Sequence, residues 1–116
     1  MNQLFVSDAD ALAARIPNGA SVSVNKGDEA DVPMALGYAM IRRGLKGLHV
    51  VTLPTAAYPV SGMLLDLLIG AGCVDSVETS VISLLDARPA PQFLHALPAG
   101  ISKAPAAPSP AVILGF

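Results

Sequence analysis

The stretch that decides the fold is Leu67-Leu68-Ile69-Gly70-Ala71-Gly72-Cys73-Val74-Asp75-Ser76-Val77-Glu78-Thr79-Ser80. Its first part is apolar, as at the end of a buried helix. Gly70 and Gly72 predict the helix stop, because glycine readily adopts the left-handed conformation in which many helices end. From Val74 onward β-branched residues alternate with polar ones, which is typical of a strand. The stretch therefore predicts a helix that leads directly into a strand.

Helix and strand patterns alternate on both sides of this stretch. The first half of the chain predicts a helix capped by Ser7, a Pro17-Asn18-Gly19 turn, a strand at 20–24, and a helix from Pro33 to a stop at Gly44. A strand at 48–53, a loop at 54–62 and a helix at 63–69 are predicted next. The last predicted elements are a strand at 74–84, which can be interrupted, and a helix at 89–97. The segment 48–53 carries no charge, which predicts a strand covered on both faces. This alternation predicts an α/β fold, an open parallel sheet with flanking helices.

The composition changes after Leu97. Residues 98–110 are mostly Ala, Pro, Gly and Ser, and Lys103 is their only charge. Proline disrupts both helix interiors and sheet ladders. We therefore predict an α/β domain at 1–97 and a Pro/Ala-rich tail at 98–116 that is extended or disordered. The apolar end of this tail, 111–116, either docks as an edge strand or stays exposed.

The composition also excludes some classes of protein. Of the 116 residues, 53% are hydrophobic and only 14% are charged, against about 25% charged in ordinary domains. So little charge indicates a face hidden against a partner, or the interior part of a larger protein.

A net charge of −2 argues against nucleic-acid binding. Pro54 and Pro59 interrupt the longest uncharged run, which argues against a membrane helix. The single Cys73 and the lack of a signal-peptide pattern favour a cytoplasmic protein.

Several segments occur in an order shared with one enzyme family. They are Ile16-Pro17-Asn18-Gly19-Ala20, Pro33-Met34-Ala35-Leu36, Ile41-Arg42-Arg43-Gly44, Leu48-His49-Val50-Val51, Asp66-Leu67-Leu68-Ile69-Gly70-Ala71-Gly72-Cys73-Val74, Val77-Glu78-Thr79-Ser80 and Ala90-Pro91-Gln92-Phe93. Together they resemble the A (α) subunit of the family I CoA-transferases, the glutaconate and 3-oxoacid CoA-transferase type, over about residues 7–97. Two features depart from that family. Asn25-Lys26-Gly27 stands where the family has a Gly-Gly-Phe-type loop, and the family's A subunits are generally more than twice as long, so we expect a truncated version.

The resemblance implies a fold, a reaction and a partner. The fold is the CoA-transferase and ribose-5-phosphate isomerase-like sheet, and the reaction moves CoA from an acyl-CoA to a free carboxylic acid. The family's catalytic glutamate belongs to a B subunit, so the resemblance implies no catalytic residue in this chain and no activity without that partner. A carboxylate nucleophile suits the reaction, because its anhydride and thioester intermediates keep the energy of the original thioester. Coenzyme A is then a substrate, no permanently bound cofactor is expected, and the chain is expected to form a hetero-oligomer.

The first candidate substrate or CoA-binding residues are Asn25, Lys26 and Gly27. They follow the carboxyl end of the first predicted strand, where open α/β sheets bind ligands. Lys26 can meet a substrate carboxylate or a phosphate of CoA. The alternative is a solvated lysine that Asp28 and Glu29 balance.

Glu78 is the fourth candidate binding residue, because it is an acid within an apolar region. If it were buried without a partner its pKa would rise, which is common at functional sites. The alternative is an outward-facing strand residue, since Val77 and Thr79 alternate with it.

The small residues and the cysteine of the deciding stretch favour structural roles. Gly70-Ala71-Gly72 follows a helix, whereas dinucleotide-binding glycines follow a strand, so it predicts a helix stop. Cys73 has no basic residue near it in the sequence to lower its pKa, which predicts a buried, inert thiol.

The remaining polar residues give weaker signals. His49 and His95 lack the spacing of metal ligands, so no metal site is expected. Arg42-Arg43 is expected to serve the negative end of its own helix. Tyr58 and Ser61 lie in a predicted loop and can line a pocket.

Two functional hypotheses follow. In the first, the chain is an A-subunit-like component of a CoA-transferase that needs a B subunit. In the second, it is a truncated, non-catalytic α/β domain that acts in assembly or is an inactive relic. A phosphosugar isomerase is a third possibility, which rests on fold analogy alone.

Overall fold

The computed structural model describes residues 5–24, 32–52, 59–79, 83–85, 88–96 and 112–115. Helices and strands alternate as far as residue 79. The elements are α1 (Ala9–Ala13), β1 (Ser21–Ser23), α2 (Met34–Arg43), β2 (Leu48–Thr52), α3 (Pro59–Gly70), β3 (Val74–Thr79), β4 (Ser83–Leu85), β5 (Arg88–Pro89), α4 (Pro91–Ala96) and β6 (Val112–Gly115).

The main sheet has the strand order β1-β2-β3-β6. The pairs β1–β2 and β2–β3 are parallel, with Val22 opposite Val50 and Val50 opposite Val77. This confirms the predicted α/β fold with a parallel sheet. β6 is antiparallel to β3, so the apolar end of the chain forms an edge strand, the first of the two alternatives. β4 and β5 form a separate antiparallel pair, so the strand predicted at 74–84 is divided between two sheets, the second of the possibilities left open for it.

The helix ends follow local chemistry, with two corrections. Asp8, not Ser7, is the N-cap of α1, and its Oδ1 accepts the N–H of Ala11 at 2.7 Å. The Ser7 hydroxyl instead donates to Asp8 Oδ2 at 3.0 Å. α3 begins at Pro59, four residues before the prediction, because proline fits the first turn of a helix where its missing N–H costs nothing.

Two predicted glycine stops are confirmed. Gly44 ends α2 with φ 70°, and its N–H donates to the carbonyl of Ile41. Gly72 follows α3 with φ 73° and donates to the carbonyl of Ile69. A residue with a Cβ would be strained at both positions, so the glycines set where these helices stop.

Helices α1 and α2 are joined by the arginines of α2. Arg43 Nη1 donates to the carbonyls of Ala13 and Ile16, the latter at 2.8 Å, and so satisfies carbonyls at the end of α1. Arg42 Nη2 pairs with Asp10 Oδ1 at 2.8 Å, with both side chains more than half exposed. The prediction that both arginines serve their own helix end was incomplete, because their hydrogen bonds go to α1.

The helices form one layer on one side of the sheet. α1 contacts α2, α2 contacts α3, and α3 contacts α4. The approach of α2 to α3 is close, since a Cβ on Gly37 would lie 2.1 Å from Leu64 Cδ1. Between this layer and the sheet lies the core, whose largest fully buried side chains are Leu48, Leu65, Leu68, Val50, Val77, Thr52, Thr79 and Cys73.

The two faces of β2 differ in burial. Leu48, Val50 and Thr52 are buried, whereas His49 and Val51 are half-buried. The prediction of a strand covered on both faces was therefore wrong for the described part of the chain. The charge-free sequence resembled a fully buried strand, but the helices that contact one another cover only one face. Among the described helices, none is long and apolar enough to span a bilayer.

Candidate functional site

The candidate site is the edge of the sheet where β1, β2 and β3 reach their carboxyl ends. Val24 continues β1 and donates its N–H to the carbonyl of Val51 at 3.0 Å. At the ends of β2 and β3, Thr52 Oγ1 donates to Thr79 Oγ1 at 2.7 Å, and both side chains are buried. This hydroxyl pair ties the two strand ends together. Such edges are where open α/β sheets bind ligands.

Three of the predicted binding residues directly follow this edge in the chain. Asn25, Lys26 and Gly27 come after Val24 and lie outside the described residues, so their role stays a prediction. Tyr58 also lies outside the described residues. Ser61 belongs to α3 and not to a loop, which corrects its predicted setting.

Glu78 lies on β3, opposite Val51 of β2. Its neighbours Val77 and Thr79 are 0% and 1% exposed, whereas the Glu78 side chain is 33% exposed. The alternation predicted from the sequence is therefore confirmed, and Glu78 lies on the less covered face. Its Oε2 is 3.8 Å from Nε2 of His49. Its role in substrate binding stays a prediction.

The buried acid of this region is Asp66, which the sequence reasoning did not single out for a role. Asp66 is 7% exposed, and its Oδ1 accepts the N–H of Phe93 at 2.8 Å. Phe93 lies in the first turn of α4, where backbone N–H groups have no partner within the helix. Asp66 thus anchors α4 on α3. The signal was an aspartate within an apolar helix, which costs free energy to bury unless it has such a partner.

His49 and Ser76 form a contact that the sequence reasoning missed. They are register partners on β2 and β3, and Nδ1 of His49 lies 2.6 Å from Oγ of Ser76. His49 had been weighed only as a metal ligand. Within the described ranges, no three His, Cys, Asp or Glu side chains are grouped to hold a metal ion. Ser76 and Glu78, two polar residues two positions apart on β3, are the signal in the sequence that points to this face.

Cys73 is buried at 1% exposure, as predicted. Burial raises the pKa of its thiol, and the nearby charge of Lys46 opposes that shift to a smaller extent. Lys46 Nζ also lies 3.3 Å from the carbonyl oxygen of Gly72 and 3.4 Å from that of Ala71. The expectation that no basic residue lies near Cys73 was therefore wrong, because folding brings Lys46 close to it. The thiol nevertheless remains in its neutral, unreactive form.

Comparison with known proteins gives one structural neighbour. No family model matches the chain. No curated protein matches it either. A crystal structure of a variant of the decarboxylase AibA/AibB is similar, with 27% sequence identity and a TM-score of 0.61. The match covers 78% of this chain and 33% of the neighbour's, so the chain spans about a third of that protein's length. The likeness supports a CoA-transferase-like fold, in agreement with the resemblance seen in the sequence.

Proposed function

We propose that the chain is an A-subunit-like component of a CoA-transferase, whose catalytic glutamate is supplied by a partner B subunit. The observation that carries the proposal is the similarity to AibA/AibB at 27% identity over 78% of the chain. It agrees with the family resemblance of the sequence. The reaction would exchange CoA between an acyl-CoA and a free carboxylate, with coenzyme A as a substrate and not as a resident cofactor.

The sheet edge supports the assignment of the substrate-binding residues. The buried Thr52–Thr79 pair holds the ends of β2 and β3 in place, and the segment 25–31 begins directly after β1. We propose that Asn25, Lys26 and Gly27 contact the acyl-CoA or the acid there. Glu78 lies one position before the end of β3, where it would donate no hydrogen bond but would accept one from a hydroxyl or amide of the substrate.

Exposed apolar side chains support the need for a protein partner. Tyr38 on α2 is 48% exposed, Met63 on α3 is 42% exposed and Leu94 on α4 is 41% exposed. Phe5 is 86% exposed. Together with a charged fraction of 14%, these side chains favour a surface that a B subunit covers. The neighbour, AibA/AibB, is itself named for two components.

The test is co-expression with candidate B subunits, followed by purification and an assay of CoA exchange between an acyl-CoA and a labelled acid. We expect a stable complex that exchanges CoA, and no exchange by either chain alone. Release of CO₂ from the acid is measured in the same samples, because the neighbour is a decarboxylase. A chain that associates with no B subunit would contradict the proposal.

Site variants then test the binding residues within an active complex. We expect Lys26→Ala to raise the KM for acyl-CoA or acid on the order of tenfold or more, because hydrogen bonds to charged groups contribute about 1.5–3 kcal/mol. Glu78→Gln is expected to have a smaller effect. Asp75→Asn is the matched control for Glu78, since Asp75 is an exposed acid on the same strand. Equal kinetics for all three variants would remove these residues from the site.

The alternative function is a non-catalytic domain that acts in assembly. One observation favours it: Gly27 is the only glycine in the segment 25–31, where the resembling family has two glycines. A titration of the isolated chain with an acyl-CoA separates the two functions. Saturable binding that Lys26→Ala weakens would exclude the inert domain, whereas a complex without exchange activity would favour it.

A further inference from the structure

The less covered face of the sheet brings together a hydroxyl, an imidazole and a carboxylate. On β3, Ser76 and Glu78 are two positions apart and point to the same face. On β2, His49 lies opposite Ser76. The His49 ring therefore sits between both side chains, with Nδ1 2.6 Å from Ser76 Oγ and Nε2 3.8 Å from Glu78 Oε2.

We infer that Ser76 is a nucleophile that His49 activates and Glu78 orients, and that it accepts an acyl group from small activated esters. The hydroxyl of Ser76 lies within hydrogen-bond distance of a base, as an activated serine requires, and a carboxylate lies 3.8 Å from the other nitrogen of that base. This activity needs no partner subunit, unlike the proposed CoA transfer, although both would use Glu78.

The carboxylate selects the tautomer that this chemistry needs. Glu78 Oε2 lies 3.8 Å from Nε2 of His49, beyond hydrogen-bond distance, so its negative charge favours a proton on Nε2 by electrostatic attraction. Nδ1 then carries a lone pair, and the short contact with Ser76 is a hydrogen bond in which the hydroxyl donates. In the opposite tautomer Nε2 would present a lone pair to a carboxylate, which is unfavourable. Glu78 thus acts as a positioning residue.

The acylation step balances with these groups alone. Ser76 Oγ attacks the carbonyl carbon of the ester, and its proton passes to Nδ1 of His49. The new Oγ–C bond forms as the bond from carbon to the leaving oxygen breaks. The proton then moves from His49 to that oxygen, so the products are acylated Ser76 and a free phenol or alcohol. His49 and Glu78 side chains are 30% and 33% exposed, which gives a small ester access to the group.

The test uses the full chain and 4-nitrophenyl acetate, with each acylated serine located and quantified by peptide mass spectrometry over time. We expect Ser76 to be acylated on the order of 10²-fold faster than Ser21 and Ser23, since general-base assistance contributes about 10²–10⁴-fold. Ser21 is the matched comparison, because it is exposed, lies on the same face and is the other register partner of His49. This comparison needs no variant, so a failure of a variant to fold cannot obscure it.

Variants separate activation from simple exposure. His49→Gln should reduce acylation of Ser76 to the rate of Ser21, and Glu78→Gln should reduce it several-fold, whereas Ser21→Ala should leave it unchanged. Circular dichroism checks that each variant keeps its fold. A Ser76 that is acylated no faster than Ser21 in the unaltered chain overturns the inference. So does a Ser76 rate that His49→Gln leaves unchanged in a folded protein.

Discussion

The two faces of the sheet are built from alternate residues of the same strands, yet they differ in almost every property. The covered face is apolar and buried: Val50 and Val77 are 0% exposed, and the buried hydroxyls of Thr52 and Thr79 bond to each other. On β1, β2 and β3 the other face is mostly polar and partly exposed, and its residues there are Ser21, Ser23, His49, Val51, Ser76 and Glu78.

The strand order explains this difference. β1, β2 and β3 lie side by side in chain order, so both crossovers move across the sheet in the same direction. Crossovers of one hand then place their helices on one face. This agrees with the contact between α2 and α3. Apolar residues are concentrated where the helices pack, and the opposite face is free to carry polar side chains. The free energy of unfolding should therefore depend mainly on the covered, apolar face. Chemical activity should depend on the polar face and on the ends of the strands.

The largest effect is expected in the helix layer that covers the apolar face. Leu64 is 3% exposed and touches the place where a Gly37 Cβ would lie. Leu64→Ala should lower the free energy of unfolding by about 3 kcal/mol, because it leaves a cavity. Gly37→Ala should be destabilising alone, since Leu64 must move. In the Leu64→Ala background it should instead stabilise by up to about 1 kcal/mol, because alanine favours a helix more than glycine. Urea unfolding of the four proteins measures this reversal of sign, and its absence would mean that α2 and α3 are not in close contact.

The second effect compares adjacent valines on opposite faces of β2. Val50 is fully buried and Val51 is half-buried. Val50→Ala should cost about 2 kcal/mol, whereas Val51→Ala should cost less than about 1 kcal/mol. Both changes remove the same groups from the same strand, so the difference reports the covering of each face. Equal losses in urea unfolding would show that both faces are covered in solution.

The smallest effect concerns hydroxyls near the strand ends. Thr52→Val removes the buried donor to Thr79 while keeping the side-chain shape, and should cost about 1 kcal/mol. Ser23→Ala, at an exposed position of β1, should change the free energy of unfolding by less than about 0.5 kcal/mol. Thermal and urea unfolding measure both. A Ser23 variant as costly as the Thr52 variant would contradict the assignment of Ser23 to the exposed face.

Much of the fold could be predicted from local sequence. The stops at Gly44 and Gly72, the strand at Val74 and the alternation around Glu78 each depend on dihedral freedom or side-chain period within a few residues. The helix starts were less accurate: the cap is Asp8, and α3 begins at Pro59. At α1 two adjacent polar residues can each cap a helix, and at α3 the sequence predicts a loop at 54–62 although proline also fits the first turn of a helix.

The candidate site was less predictable. The binding role of Asn25, Lys26 and Gly27 rests on their position in the sequence and on the family resemblance, and it remains a prediction. The sequence assigns Asp66 no role and Arg43 only the end of its own helix, because their partners, Phe93 and the end of α1, lie on other elements. Which partners meet depends on how the helices and strands pack, and a local sequence pattern carries no information on that packing.

The sequence by itself determined where most helices and strands lie and that the strands alternate, because those properties depend on neighbouring residues. Only the tertiary structure decided which face of the sheet is covered, and that His49 meets Ser76, a residue 27 positions away. Strand register and helix placement produce both results. These depend on packing energies summed over the whole domain, so they become visible only when the chain is folded.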